Sequence, residues 1–264
     1  MSSPSNADTE LPAVDEHIVV PDAGYEIDDG KIILVPPAEE PHANRNSKLA
    51  ALLEIHAADD FDVAVDMLTR ISANTDRAPD ASVYPIARDP RTGGRQLEHL
   101  AFEIVSTESL DHAAGKARGL AGRGVRRVFA IDVESARVFE WSRELDSWSI
   151  LDVNAAITDP ALAVPLPVGA LLCTDKADDA VAAALLAKRN PVIEAALRDA
   201  AARGTARRVQ QGASGLLLGW LRQRFGDEVD TRVEQRLATA SIAQLEVWAT
   251  RVLSAASLTE LLVD

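Results

Sequence analysis

Two acidic residues interrupt stretches of β-forming residues, and they are the first candidates for chemistry. Asp80 follows Pro79 and precedes the run Ala81-Ser82-Val83-Tyr84, and Glu103 lies inside Leu100-Ala101-Phe102-Glu103-Ile104-Val105. A carboxylate beside an apolar core is costly unless something compensates its charge. Two carboxylates on strands that pair would supply the hard oxygen ligands that a divalent cation prefers. A metal held in this way is typical of phosphodiester hydrolysis.

The composition fits a globular protein with a packed core. The chain has 264 residues, of which 47% are hydrophobic, which is enough for one large domain or two small ones. The lone Cys173 excludes an intrachain disulfide and a cysteine-rich zinc site. No N-terminal stretch resembles a signal peptide, and no apolar run is long enough to span a membrane. We therefore expect a cytoplasmic protein without a membrane partner.

The net charge of −14 opposes passive attraction to nucleic acid, but the charge is unevenly distributed. Residues 1–40 hold ten acids and one lysine, or −9, and residues 41–175 hold 20 acids and 14 bases, or −6. Residues 176–264 hold 11 acids and 12 bases, or +1. Most of the acidity therefore lies in a leading segment, whose first 20 residues we predict to be a flexible acidic tail.

Residues 21–175 alternate between strand and helix patterns. Tyr25 to Val35 predicts a hairpin with a turn at Asp29-Gly30. Helical spacing of leucines predicts a helix over 42–56, and a second helix over 111–121 would end at Gly122 or Gly124. Further strands are predicted over 61–68, 81–85, 100–106, 127–133 and 137–141, with 148–151 as a candidate addition. The pattern predicts an α/β domain.

The composition changes after Lys176, where alanine, leucine and arginine dominate. Helices are predicted over 176–189, 191–203, 207–225, 231–239 and 241–254, with a short one from 257. We divide this part into a helical linker, 176–204, and a small all-α C-terminal domain, 205–264.

A series of short motifs resembles one known family. The motifs are Tyr25-Glu26 with Asp29-Gly30, Pro36-Pro37-Ala38 with His42, Pro79-Asp80, Phe102-Glu103-Ile104-Val105-Ser106, Lys116, and Gly124-Val125. Their order and spacing over about residues 20–175 resemble the Uma-type restriction endonuclease family of the PD-(D/E)XK nuclease superfamily. The resemblance implies a restriction-endonuclease-like mixed sheet flanked by helices, and a Mg²⁺-dependent DNA endonuclease.

The resemblance also implies roles for individual residues. The superfamily places Asp on one strand and Glu-x-Lys on the next, but the position two after Glu103 is Val105. The family resemblance implies that Lys116, on the following helix, supplies the missing ammonium group. Asp80 and Glu103 would then hold Mg²⁺, with Mn²⁺ as a substitute ion, and Glu26 would be a further catalytic acid.

Each candidate has a structural interpretation beside the functional one. Asp80 could cap a turn, Lys116 could be an exposed helix lysine, and Glu26 could face solvent in the hairpin. His42 matches a family position, or it is simply a residue near a helix N-terminus. Leu120 stands where the family commonly has an aromatic residue. The absent strand lysine and the acidic balance keep open a catalytically idle nuclease-fold protein that binds or assembles, and a hydrolase of small phosphoesters is a third alternative.

Two further features concern partners. Basic residues that could contact DNA phosphates, or form a solvated surface, are Lys116, Arg118, Arg123, Arg126, Arg127 and, in a glycine-containing loop, Arg88, Arg91 and Arg95. The segment Leu216 to Gly226 resembles a small helical domain appended to such nucleases. About 90 apolar-rich residues can only just bury their own core, so we expect a homodimer through the C-terminal helices.

Overall fold

The computed structural model describes residues 11–20, 24–106 and 109–263, and two β-sheets dominate its first part. The strands are β1 (Tyr25–Asp28), β2 (Lys31–Leu34), β3 (Phe61–Val65), β4 (Thr69–Ser72), β5 (Thr75–Arg77), β6 (Ala81–Pro85), β7 (Leu100–Val105), β8 (Arg127–Asp132), β9 (Arg137–Ser142), β10 (Ser147–Ile150), β11 (Ala156–Ile157) and β12 (Leu166–Pro167). The larger sheet has the order β10-β9-β8-β7-β6-β3, in which β7 and β8 run parallel and the other neighbours antiparallel. The smaller sheet has the order β2-β1-β5-β4, and β11 pairs with β12.

Helices flank the larger sheet and form the C-terminal part. They are α1 (Glu40–His56), α2 (Leu110–Arg123), α3 (Thr174–Ala187), α4 (Pro191–Phe225), α5 (Thr231–Thr239), α6 (Ile242–Arg251) and α7 (Leu258–Leu261). The predicted class, a mixed sheet with flanking helices followed by an all-α region, is confirmed. No helix among the described residues is both long and apolar enough to cross a membrane.

Helix α2 is the crossover that two parallel strands require, because it joins β7 to β8. The side chain of Ser109 accepts a hydrogen bond from the backbone N–H of His112 and so caps its N-terminus. At the other end, Gly124 has a φ of 123°, a backbone conformation that glycine adopts at the least cost. These end signals confirm the predicted helix and its glycine stop.

Successive side chains of β7 point to opposite sides of the sheet and enter two different hydrophobic clusters. Phe102 packs in the main core with Leu53 of α1. Ala101 packs in a second cluster with Ala117 of α2. Glu103 is two residues from Ala101, so its side chain leaves the sheet on the side that α2 covers. The carboxylate and the helix that carries the candidate lysine therefore share one face.

The N-terminal hairpin forms as predicted and brings a second acid to this region. Its register pairs Asp28 with Lys31, and the turn residues Asp29 and Gly30 have φ values of 48° and 74°. Positive φ at both positions is the signature of a two-residue hairpin turn of type I′. β1 also pairs with β5, which places Glu26 beside the end of β5.

Residues 11–20 differ from the flexible tail that the sequence predicted. Val14 and Val19 are buried, and the backbone N–H groups of Ile18 and Val19 donate to one carboxylate oxygen of Asp76 at 2.6 and 2.9 Å. The buried Asp76 carboxylate holds this segment against the smaller sheet. The rest of the predicted tail, residues 1–10, lies outside the described residues.

The C-terminal region also differs in one respect from the sequence prediction. Helix α4 runs without interruption for 35 residues, where two helices over 191–203 and 207–225 were predicted. Gly204 lies within it, and a glycine inside a helix costs only about 1 kcal/mol relative to alanine, which does not end the helix.

The chain divides into two compact units between Arg189 and Asn190. Ala177 and Ala180 of α3 pack in the core of the first unit, so the predicted linker 176–204 is shared between both units. The second unit has its own core, formed by Leu217, Leu221, Leu237, Ala240, Leu245, Trp248, Val252, Ala255, Leu258, Leu261 and Leu262.

Candidate active site

Lys116 joins two buried carboxylates. Its Nζ lies 3.2 Å from Oε2 of Glu103 and 3.2 Å from Oε1 of Glu26. The same ammonium donates to the carbonyl oxygen of Ala78 at 3.4 Å. The structure thus brings together three of the four residues predicted as catalytic, and it places the lysine on the helix rather than on the strand.

Three groups contact the Glu26 carboxylate as hydrogen-bond donors. Its Oε2 accepts a hydrogen bond from Arg77 Nη1 at 3.0 Å. Its Oε1 accepts one from the backbone N–H of Ala78 at 3.1 Å and also faces Lys116. Arg77 in turn contacts Asp28 at 2.6 Å. These contacts place Glu26 to fix the position of Lys116. Unlike Asp80 and Glu103, Glu26 does not line the cavity beside the cluster.

Asp80, the fourth predicted residue, directly precedes β6, which pairs with β7. Its Oδ2 accepts a hydrogen bond of 2.5 Å from the backbone N–H of Ile104. Its Oδ1 lies 3.2 Å from Nε2 of His42, on α1. The backbone bond links the acid of one strand to the residue directly after Glu103, which fixes the two carboxylates relative to each other.

Burial controls the charge of this cluster. Removal from water raises the pKa of Glu103 to about 8, with Lys116 opposing the shift and Asp80 and Glu26 adding to it. Burial alone would lower the pKa of Lys116, but the carboxylates of Glu103, Glu26 and Asp80 outweigh it, so its pKa is raised. The lysine is therefore charged at neutral pH, and without a metal ion burial favours the protonated form of Glu103.

A cavity of about 430 Å³ opens onto these groups. Asp80, Glu103 and Lys116 line it, together with residues of the segment Val35–Glu39, His42, Asn46, Asp66, Ile104 and Ser106. Partial desolvation, and after it the neighbouring Asp80, raise the pKa of the Asp66 carboxyl.

Asp66 and Asn46 did not emerge from the sequence as site residues. Asp66 directly follows β3 with a φ of 50°, and its backbone N–H donates to the carbonyl of Asp80. The sequence signal that could have identified Asp66 is its position directly after β3, because β3 pairs with β6, the strand that follows Asp80. Nothing in the sequence around Asn46 distinguishes it from a surface residue of α1.

The oxygen donors of the cavity fit a divalent cation. Glu103 Oε1 and Asn46 Oδ1 are both buried and have no hydrogen-bond partner among the described residues. An orphaned carboxylate oxygen beside a second carboxylate is costly unless a cation or water satisfies it. In the described part of the chain no group of three or more His, Cys, Asp or Glu residues is arranged as a metal site. Mg²⁺ needs no such cage, because it is commonly bound by one or two carboxylates, water and substrate phosphates.

Most of the basic residues considered as phosphate contacts are engaged within the fold. Arg118 makes a two-pronged contact with Asp146, at 2.8 and 2.9 Å. The others with internal partners are Arg95 with Glu98, Arg123 with the Pro12 carbonyl, Arg126 with Asp159 and Arg127 with Glu140. These guanidinium groups are neutralised or bonded already, so they form a weaker phosphate-binding surface than their number in the sequence indicates.

The family model described as "putative restriction endonuclease", Uma2, matches residues 14–169. A search of curated proteins finds no match. Among solved structures, the crystal structure of a putative nuclease from Anabaena variabilis is similar at 18% identity, with a TM-score of 0.46, covering 56% of this chain and 88% of that chain.

The match over residues 14–169 identifies the mixed sheet and flanking helices of the first unit as a restriction-endonuclease-like domain. The chain belongs to the Uma2 family, as the match over more than half of its length shows.

Proposed function

We propose that this protein is a Mg²⁺-dependent DNA endonuclease. The observation that carries the proposal is the contact of the Lys116 ammonium with Glu103 in a cavity where Glu103 also presents an orphaned oxygen beside Asp80. The reaction is the addition of water to a phosphodiester. The P–O bond to the leaving oxygen breaks, and the products are a phosphate monoester and a hydroxyl group.

Asp80 and Glu103 are the residues that would hold the metal, with Mn²⁺ as a substitute ion. A divalent cation bound there would lower the pKa of the attacking water and stabilise negative charge on the phosphate. Cation binding at Glu103 competes with the proton that its raised pKa keeps there at neutral pH.

Lys116 acts as a charged hydrogen-bond donor. Its raised pKa keeps it protonated at neutral pH, so it cannot accept a proton from water. Its ammonium instead orients the attacking water or balances the charge that develops on the phosphate oxygens. Glu26 holds this ammonium in place, and Arg77 holds Glu26.

The test is DNA cleavage by the full-length protein with Mg²⁺ or Mn²⁺, on DNA of high sequence complexity. We expect the wild type to cleave and Glu103→Gln, which keeps the shape of the side chain, to be inactive. The matched control is Glu140→Gln, which removes a carboxylate that pairs with Arg127 and does not line the cavity. Absence of cleavage by the wild type with both ions would refute the proposal in favour of a nuclease-fold binding protein.

The proposal includes a homodimer formed through the second unit. Leu216, Trp220 and Leu253 are 65%, 49% and 85% exposed, and Trp220 and Leu253 line an apolar cavity of about 520 Å³. Exposed apolar surface of this kind favours association. Light scattering should report twice the chain mass for the wild type and a monomer for Trp220→Gln with Leu253→Gln. A monomeric wild type at micromolar concentration would contradict the dimer.

A further inference from the structure

The middle of helix α4 carries a concentration of positive charge that the net charge of the chain conceals. Between Asp199 and Asp227 the sequence has five arginines and no acidic residue. They are Arg203, Arg207, Arg208, Arg222 and Arg224. This run contrasts with a chain whose net charge is −14.

Three of these arginines have no partner in the part of the chain that the structure describes. Arg222 contacts Glu234 at 2.5 Å, and Arg224 donates to two backbone carbonyl groups of the second unit. Arg203, Arg207 and Arg208 are exposed and make no hydrogen bond or ion pair with the described residues. They differ in this from the arginines of the first unit, most of which are bonded internally.

Mostly small side chains surround these arginines on the helix surface. Residues 196–209 are all exposed, and the positions between Arg198 and Arg207 are occupied by Asp199, Arg203 and small residues, namely alanine, glycine and threonine. An interfacial membrane helix needs large apolar side chains on one face. None stands between Leu197 and Val209, a distance of three helical turns. A charged, unobstructed surface fits a polyanion better than it fits a lipid bilayer.

We propose that Arg203, Arg207 and Arg208, here called the α4 basic segment, bind the phosphate backbone of duplex DNA. Guanidinium groups suit this ligand because they donate two parallel hydrogen bonds to phosphate oxygens. From Arg203 to Arg208 the helix rises about 7.5 Å, which matches two to three phosphates along one DNA strand. This inference rests on the proposed nuclease function, which identifies DNA as the polyanion. The candidate active site is rich in carboxylates, so positively charged groups outside the site are needed to retain DNA.

The test measures duplex binding by the full-length protein in EDTA, where no cleavage occurs, as a function of salt concentration. One variant carries Arg203→Gln, Arg207→Gln and Arg208→Gln. The matched control carries Arg118→Gln, Arg198→Gln and Arg222→Gln, which removes the same charge from exposed arginines that already pair with acids. Each phosphate contact contributes about 0.9 to the slope of log affinity against log salt. The first variant should therefore lower the slope by about 2 to 3, and the control by less than about 1.

Circular dichroism melting establishes that both variants are folded. Equal slopes for the wild type and the first variant would overturn the inference, as would equal losses in both variants or a wild type that does not bind duplex at low salt. Arginine-dependent binding to phosphatidylserine vesicles or to polyglutamate, with duplex binding unchanged, would overturn it in favour of another partner. Binding without cleavage activity would uphold the α4 basic segment while the proposed nuclease function fails.

Discussion

Replacing Glu103 with glutamine should change how stability depends on pH in the absence of metal. Glu103 is only 4% exposed, and its pKa in the folded protein is raised from 4.5 to about 8. A raised pKa means that the folded state holds the proton more tightly than the unfolded state. This stabilisation is complete below the unfolded pKa and is lost as the pH rises through the folded pKa.

The magnitude follows from the two pKa values. The proton on Glu103 stabilises the folded state by about 2 to 3 kcal/mol at about pH 6, and this stabilisation is almost gone at about pH 9. Glutamine imitates the protonated side chain at every pH, so the variant lacks this term. The wild type should thus lose about 2 to 3 kcal/mol more than Glu103→Gln over this range.

The assay is urea unfolding in EDTA at both pH values, for the wild type, Glu103→Gln and the control Glu140→Gln. The difference in the free energy of unfolding between the wild type and each variant cancels the contributions of other titrating groups. These groups include His17, His56 and His99, whose pKa values burial lowers. Glu140→Gln should parallel the wild type. If the Glu103→Gln and wild-type curves are parallel as well, the buried carboxyl does not hold the proton and the electrostatic description of the site is refuted.

Three other predictions concern the metal, the lysine and the second unit. Mg²⁺ should raise the melting temperature of the wild type. Its binding should also release up to one proton at neutral pH, which calorimetry in two buffers of different ionisation enthalpy would measure. Binding without proton release would contradict coordination by Glu103. Lys116→Met should lower kcat by about 100-fold with little change in KM, and Glu26→Gln should lower kcat less, by about 10-fold; a change confined to KM would contradict both roles. A chain ending at Arg189 should stay folded and keep the melting response to Mg²⁺, because α3 packs in the first core; loss of folding would show that the units depend on each other.

The sequence predicted the fold best where local pattern and burial coincide. β7 is buried at all six positions, and its apolar pattern, which Glu103 interrupts, marked it clearly. The Asp29-Gly30 turn predicted the hairpin, because few residue pairs tolerate positive φ at both positions.

The strands β4 and β5 were missed because their stability comes from distant partners. They contain the buried charged residues Arg70, Asp76 and Arg77, which break any apolar alternation. Arg77 is compensated by Glu26 and Asp28, and Asp76 by backbone groups of residues 18 and 19. Local spacing cannot reveal compensation that comes from 49 to 58 positions away.

The candidate site was predicted only in part for the same reason. The apolar residues of β7 make Glu103 conspicuous. The approach of Lys116 from α2 followed from the family resemblance and not from spacing. Asp66 and Asn46 reach the cavity through a left-handed turn and a helix whose orientation depends on tertiary packing. The break expected in α4 reflects the weak helix propensity of glycine, which the surrounding alanines and arginines outweigh.

The most direct measurement is a crystal structure of the protein grown with Mn²⁺, whose anomalous scattering identifies the ion. We predict a peak within bonding distance of the Asp80 carboxylate and Glu103 Oε1, with Lys116 still held by Glu26. The peak should be absent from crystals of Glu103→Gln grown in the same way. An ion bound elsewhere, or no ion at millimolar Mn²⁺, would contradict the account of this cavity as a metal-dependent hydrolytic site.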